Sequence, residues 1–313
     1  MPAISASAPG KIILLGEHAV VYARRAIAIP VSQVQARTVI TPLVRQPAGY
    51  IQVQAVNLQL DAPLAELPAD DPIRQAVELT LGALNVQRAP AMHIRIHSSI
   101  PIAAGLGSGA AVSVAVIRAV STYLGKPLPV EDVSALAYEV EKTYHGTPSG
   151  IDNTVIAYHQ PVLFQKGQPI QPFSPGGKFT FLIADTGISA ATREQVSGVR
   201  ERWQADPAAY ESLFDRIDAL SGQAFQSLQA GDTEMTGRWM TENHHLLQQM
   251  GVSCSQLDEL VNAALEHGAL GAKLSGAGGG GNMIALVSDE HARSVEDALR
   301  SHGARQVIQT GLE

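Results

Sequence analysis

Gly105-Leu106-Gly107-Ser108-Gly109-Ala110-Ala111 is the stretch on which the reading of this chain turns. It runs directly into a segment where Ala111, Val112, Ala115, Val116, Ala119, Val120 and Tyr123 recur at helical spacing, with Gly125 as a natural stop. A glycine loop that opens a helix has two physical readings. The first helical turn presents unpaired N–H groups and a partial positive charge, and glycines let that backbone close on phosphate oxygens without side-chain obstruction. The alternative is a structural turn with Ser108 as the helix cap. The loop alone does not choose between them.

Two further segments do. Pro9-Gly10-Lys11 continues through Ile12-Ile13-Leu14-Leu15 to Gly16-Glu17-His18-Ala19-Val20-Val21-Tyr22, and Lys273-Leu274-Ser275-Gly276-Ala277 runs on to Gly278-Gly279-Gly280-Gly281. Each joins glycines to a lysine, a combination suited to a polyanion. A turn needs one or two glycines, and a longer run loses much conformational entropy on folding, so close approach by a ligand or another backbone segment is expected at the last run. Between the second and third segments lie isolated carboxylates. Glu141 falls near the end of a helical pattern, and Asp152 follows Ser149-Gly150-Ile151 beyond a turn set by Gly146 and Pro148. Phosphoryl transfer to a small alcohol needs one carboxylate near the hydroxyl and another on Mg²⁺. Together the segments suggest a small-molecule kinase. Taken singly, the same residues read more blandly: Lys11 and Lys273 as solvated lysines, His18 as a loop histidine, Glu139 and Glu141 as a solvated helix end, Asp152 as a helix cap.

Two familiar nucleotide motifs are set aside. No Gly-x-x-x-x-Gly-Lys-Ser/Thr string occurs. Gly105, Gly107 and Ala110, and likewise Gly276, Gly278 and Gly281, match a dinucleotide fingerprint. That loop should follow a strand almost directly, with an acid about 20 residues on at the end of the next strand; here Ser98-Ser99-Ile100-Pro101-Ile102 intervenes and the nearest acid, Glu131, opens a helix.

The 313 residues, 45% apolar and 16% charged, suffice for a buried core in one large or two ordinary domains. A net charge of −7 disfavours nucleic-acid binding but not ATP, which needs only a few local cations. The single cysteine, Cys254, excludes an intramolecular disulfide and fits a reducing compartment. Lys11, Glu17 and His18 interrupt the only early apolar run, and no stretch approaches the roughly 20 apolar residues of a membrane helix, so a soluble cytoplasmic protein is expected.

Apolar runs and period-two alternation predict strands at 12–15, 31–40, 51–55, 92–97, 179–184, 270–274 and 283–287, the early ones mostly antiparallel. A second helix follows Pro129, with Val133, Leu136, Ala137, Val140 and Tyr144 as its buried stripe. Helical pattern also runs from Tyr210 to Met250 and from Ser255 to His267. Gln165–Lys178 is the candidate boundary between two α+β domains. His244 and His245 are expected at the surface or at a domain contact, Cys254 as a small buried residue, and Trp203 and Trp239 in packing.

Taken together, 9–282 resembles the GHMP kinase superfamily. Within it, Pro9 to Tyr22 and Pro148-Ser149-Gly150-Ile151-Asp152-Asn153 are similar to the mevalonate kinase branch, as are Asn243, Leu246, Leu247 and Gly251-Val252-Ser253. The resemblance implies an α+β chain with a mixed N-terminal nucleotide-binding domain over 1–172 and a ferredoxin-like C-terminal domain over 173–313. It also implies ATP and Mg²⁺ as cofactors, mevalonate as acceptor, and a possible homodimer. Asp152 would take a proton from the C5 hydroxyl and Lys11 would stabilise the developing alkoxide. Gly105, Leu106, Gly107, Ser108, Gly109 and Ala110 would hold the triphosphate, and Glu141 would bind magnesium. Lys11, Glu17, His18, Ser149, Asp152 and Thr192 would meet the acceptor, with Gly276, Ala277 and Gly278 lining its site. Another kinase of the superfamily, acting on phosphomevalonate, a sugar or homoserine, and a catalytically silent nucleotide binder are the alternatives. There is one departure: the family loop reads Gly-Leu-Gly-Ser-Ser, its second serine helping to hold magnesium, and here Gly109 replaces that serine, leaving Ser108 or a water to take the ligand's place.

Overall fold

In the computed structural model, residues 3–101, 105–145, 148–189 and 192–313 are described, without the side chains of 144, 145, 192 and 193. The chain divides into two compact units. The first comprises Met1–Lys11, Val34–Ile102 and Leu106–His159, and the second Ile12–Gln33, Ala103–Gly105 and Gln160–Glu313. The last change between units falls at 159/160, and the segment Gln165–Lys178 lies within the second.

The early elements are β1 (Ile4–Leu15), β2 (Ala26–Pro42), β3 (Ile51–Ala55), β4 (Leu60–Pro63), α1 (Pro72–Ala83), β5 (Met92–Ser98), α2 (Ser108–Tyr123), α3 (Val130–His145) and α4 (Ile151–Tyr158). β1 pairs with β2, and both contribute residues to each unit. In the first unit, Ala36–Pro42 of β2 runs antiparallel to β5, with Ala36 opposite Ser98. β3 lies parallel to β5, with Ile51 opposite Met92, and antiparallel to β4. The parallel pair is the exception to the mostly antiparallel arrangement expected of the early strands, and β4 and α1 supply the crossover that parallel pairing requires. Ile51, Val53 and Ala55 are buried while Gln52 and Gln54 are half-exposed, the alternation of a strand with one face on the core. α2 is buried along nearly its whole length, between α1, α3 and α4, which explains its run of Ala and Val rather than a single apolar stripe.

The second unit adds β6 (Val162–Phe164), β7 (Gln171–Pro172), β8 (Phe179–Asp185), α5 (Thr192–Ala205), α6 (Pro207–Ala230), α7 (Thr233–Gln249), α8 (Ser255–Glu266), β9 (Gly271–Ser275), β10 (Asn282–Val287), α9 (Ala292–Ser301) and β11 (Gln306–Leu312). Ala26–Ala28 of β2 pairs antiparallel with β6, which pairs with β7. The remaining strands form an antiparallel sheet in the order β11-β8-β10-β9. Strand, helices, two strands, helix, strand in that order is the ferredoxin-like arrangement. The helical stretch expected over Tyr210–Met250 is two helices. Gly231 takes φ 74° to end α6, and the Asp232 carboxylate accepts from the Met235 N–H to start α7. No helix among the described residues is long and apolar enough to cross a membrane.

Candidate functional site

The first unit brings the glycine loop, Lys11 and Asp152 together. Lys11 stands on β1, and its Nζ lies 3.0 Å from Oδ1 of Asp152 in the first turn of α4. Lys11 is buried, whereas the Asp152 side chain keeps 30% of its exposure, so the lysine is anchored and the carboxylate is reachable. The backbone N–H of Lys11 donates to the Leu106 carbonyl at 3.0 Å, which pins the loop to β1. Gly107 has φ 72°, and a Cβ there would come within 2.9 Å of both Lys11 Cγ and Ile156 Cδ1. Only glycine therefore lets the loop pass this close to the lysine stem.

The cap of α2 is Gly107, with no side-chain hydrogen bond, so Ser108 does not cap the helix as the structural alternative required; it begins the helix. Gly150 likewise precedes α4 with no side-chain cap, so Asp152 is not a cap either. Ser149, expected at the acceptor, is half-buried, and its Oγ accepts weakly from the Ile151 N–H at 3.4 Å. On α3, Glu139 is solvated and pairs with Lys142 at 2.8 Å, whereas Glu141 is half-buried. Burial pushes the Glu141 carboxyl up to about 7; the charge of Asp152 adds to that shift and Lys11 opposes it. A Cβ on Gly109 would lie 3.8 Å from Glu141 Oε1, so the start of α2 faces this carboxylate.

The second unit holds a different cluster. Lys273, whose sequence context allowed a solvated lysine, is fully buried in β9, and its Nζ is ion-paired with Glu17 Oε1 and donates to the Leu274 carbonyl. The other Glu17 oxygen accepts from Asn243 Nδ2 at 3.2 Å, and Glu17 is itself 1% exposed. His18 is buried with φ 59°, and its Nε2 lies 2.9 Å from the Ala277 carbonyl. A carbonyl only accepts, so Nε2 carries the proton and Nδ1 is left as an acceptor. Burial holds the His18 pKa down to about 4, against the opposing Ala277 bond. His244 is buried, not at the surface. The Leu274 N–H donates to its Nδ1 at 3.2 Å, so Nε2 carries the proton; it lies 3.1 Å from Asp258 Oδ1 but out of line for a hydrogen bond. Its pKa is also lowered to about 4, chiefly by burial. His245 is exposed as expected, and Cys254 is half-buried rather than buried.

The last glycine run is shaped by backbone. A Cβ at Gly278 would lie 1.9 Å from the Val252 carbonyl oxygen, and one at Gly280 would lie 2.6 Å from that of Ile188. Gly279 and Gly281 donate to those same carbonyls at 2.9 Å. Gly276 faces open space. Thr192 opens α5, and its side chain lies outside the described residues. Sequence reasoning missed the pairing of Lys273 with Glu17 and of His244 with Asp258. Its one available signal was a lysine flanked by Ala272 and Leu274 in a strand between α8 and the glycine run.

A family model of the GHMP kinases N terminal domain matches residues 72–160, and one of the GHMP kinases C terminal matches residues 224–305. The mevalonate kinase of Pyrococcus horikoshii is 34% identical, over 97% of this chain and 94% of its own. Among solved structures, the mevalonate kinase of Methanococcus jannaschii superposes with a TM-score of 0.87 at 28% identity, covering 100% of this chain and 99% of the other. The L. major mevalonate kinase in complex with R-mevalonate gives 0.84 at 30% identity, over 99% and 95%. With identity of this size sustained across nearly all of both sequences, and the same fold beneath it, this chain belongs to the GHMP kinases, in their mevalonate kinase family.

Proposed function

We infer that this chain transfers the γ-phosphoryl group of ATP to the C5 hydroxyl of mevalonate, giving 5-phosphomevalonate and ADP, as its relatives' names indicate. The observation that carries the reading is the Lys11–Asp152 pair, 3.0 Å apart, with the glycine loop hydrogen-bonded to the lysine's own backbone. Asp152 accepts the hydroxyl proton as the oxygen attacks. Lys11 offsets the negative charge that develops on that oxygen, a role its buried stem and fixed ammonium suit. The segment from Gly105 to Ala110 receives the triphosphate, with the uncapped first turn of α2 offering N–H groups to its oxygens. The rest of the catalytic power is positioning, as phosphoryl transfer generally demands.

Magnesium fits the residues present. Among the described residues no cluster of three or more metal-ligating side chains occurs, and magnesium bound largely through nucleotide phosphates needs only one or two carboxylates. Glu141 would hold it with the Ser108 hydroxyl, and a carboxyl pushed up to about 7 is a site where a nearby cation is favourable. When bound, the ion neutralises charge on the phosphates. His18, Ser149 and Thr192 are assigned to the acceptor, with Gly276, Ala277 and Gly278 beside it. A nucleotide-binding domain over 1–172, a second domain over 173–313 and a homodimer complete the reading.

Coupled detection of ADP with a panel of alcohols tests the assignment. Turnover with mevalonate, and at least about 100-fold lower kcat/KM with phosphomevalonate, galactose and homoserine, is the expected result. ADP release with none of them would return the chain to the silent nucleotide binders.

A further inference from the structure

We propose that the buried Lys273–Glu17 ion pair is a positioning device for His18, acting on acceptor binding through that imidazole rather than by touching the acceptor. The inference rests on His18 meeting the acceptor. Glu17 has no free oxygen to offer a substrate: one is bound by Lys273 and the other by Asn243, and the residue is 1% exposed. Lys273 is fully buried, so no ligand reaches it either. What the pair does reach is the turn that carries His18.

Three side-chain contacts tie the 12–22 segment to the 273–281 segment within the second unit. Ser275 Oγ donates to the Ile13 carbonyl at 2.7 Å, Lys273 pairs with Glu17, and His18 Nε2–H donates to the Ala277 carbonyl at 2.9 Å. The middle contact is adjacent in sequence to the strained residue. His18 has φ 59° and ψ −50°, outside the left-handed well that non-glycine residues tolerate, and such a conformation persists only where its surroundings over-determine it. Glu17, clamped from β9 and α7, supplies that constraint. The Ala277 bond then fixes the ring, leaving Nδ1 as an acceptor for a hydroxyl. A buried charge pair costs desolvation that an apolar pair would avoid, so its presence here calls for a role beyond stability.

The test compares Glu17→Gln, Lys273→Met and the double variant Glu17→Gln/Lys273→Met in the full-length chain. Each single variant leaves an unmatched buried polar group and should lower Tm by about 6–10 °C, and the double variant should recover most of that loss. The positioning role predicts that the recovered double variant still shows a mevalonate KM raised about tenfold, with kcat and the ATP KM within about twofold of the parent. In ¹⁵N-histidine NMR spectra the His18 signal should also lose the pattern of a fixed Nε2–H tautomer. A double variant with parental mevalonate KM and an unchanged His18 signal overturns the proposal, as does an equal rise in both KM values, which would mark general loosening. If the double variant does not fold, Asn243→Ala decides. It removes one hydrogen bond to Glu17 and should raise the mevalonate KM about threefold with kcat retained, and an unmoved KM would reject the device. Failure of the kinase assignment looks different: the parent chain itself would release no ADP with mevalonate.

Discussion

Lys11 with Asp152 and Lys273 with Glu17 are the same chemical pair in two settings. In the first unit the lysine is 7% exposed and its carboxylate partner 30%; in the second the values are 0% and 1%. The first carboxylate keeps free lone pairs and an open side. The second has each oxygen held from a different element, with 1% of its side chain exposed. Exposure of the acid, not the presence of the pair, separates a group able to take a proton from one able only to hold a turn in place. The desolvation cost follows the same division, since a fully buried pair depends on its partner for survival and a half-exposed one has water to fall back on.

Asp152→Asn breaks the comparison most directly. It should lower kcat by at least about 10³-fold, within the range expected for a general base, while ATP affinity and Tm stay near parental values. Glu17→Gln should do the reverse, costing stability of roughly 3–5 kcal/mol before any loss of turnover per folded molecule. Near-normal turnover in Asp152→Asn would remove it from the role of base and the contrast would collapse. Lys11→Met comes next. We expect about a 100-fold fall in kcat, because in the proposed reaction the lysine supports charge on the attacking oxygen without itself taking the proton. An unchanged kcat would reduce it to a strand residue packed beneath Gly107.

How far these sites could be read from the sequence follows the same line. Lys11, the loop and Asp152 were legible because each lies in a short segment whose glycines and polar residues make little sense as mere structure. Lys273 was not, because a lysine's burial depends on a partner 256 positions away and leaves no local trace. The parallel pairing of β3 with β5 was hidden too, since both strands alternate as antiparallel ones do. The break between α6 and α7 was signalled by Gly231-Asp232 and was overridden by apolar periodicity on either side. The start of α1 was written plainly in Asp71-Pro72, where the aspartate accepts from the Ile73 and Arg74 N–H groups. Local chemistry shows in a sequence, and long-range burial does not.

Acid should pull the two units in opposite directions. His18 and His244 in the second unit are lowered from 6.5 to about 4, mainly by burial. Their unfolded forms bind protons first, so the stability they confer is present above pH 6.5 and is lost as pH falls through about 4. Glu141 in the first unit is raised from 4.5 to about 7. Its contribution is the converse, present below pH 4.5 and lost as pH rises through about 7 in protein free of metal and nucleotide. Hydrogen exchange, corrected for intrinsic rates, should show amides of α7 and β9 losing protection between pH 6.5 and 5 while those of α3 gain it. Protection moving the same way in both would mean that one global opening governs them, and the distinction between the clusters would not extend to their energetics.

The smallest effect belongs to Gly109, and it separates a missing ligand from a merely small residue. A Cβ at this position would lie 3.8 Å from Glu141 Oε1, ordinary contact distance, so a side chain fits. Gly109→Ser then adds a hydroxyl beside the carboxylate assigned to magnesium. One further oxygen near the ion is worth roughly 1 kcal/mol, so half-saturating Mg²⁺ should fall about fivefold. Serine also stabilises the first turn of α2 by a few tenths of a kcal/mol relative to glycine, which alone could improve activity by ordering the loop. Gly109→Ala isolates that contribution, since alanine favours the helix more strongly and brings no oxygen. If Ser and Ala shift the Mg²⁺ titration equally, the gain is helical order and the metal shell never lacked a ligand. If only Ser shifts it, the half-exposed cluster of the first unit has room for a ligand that the fully buried Lys273–Glu17 pair of the second does not.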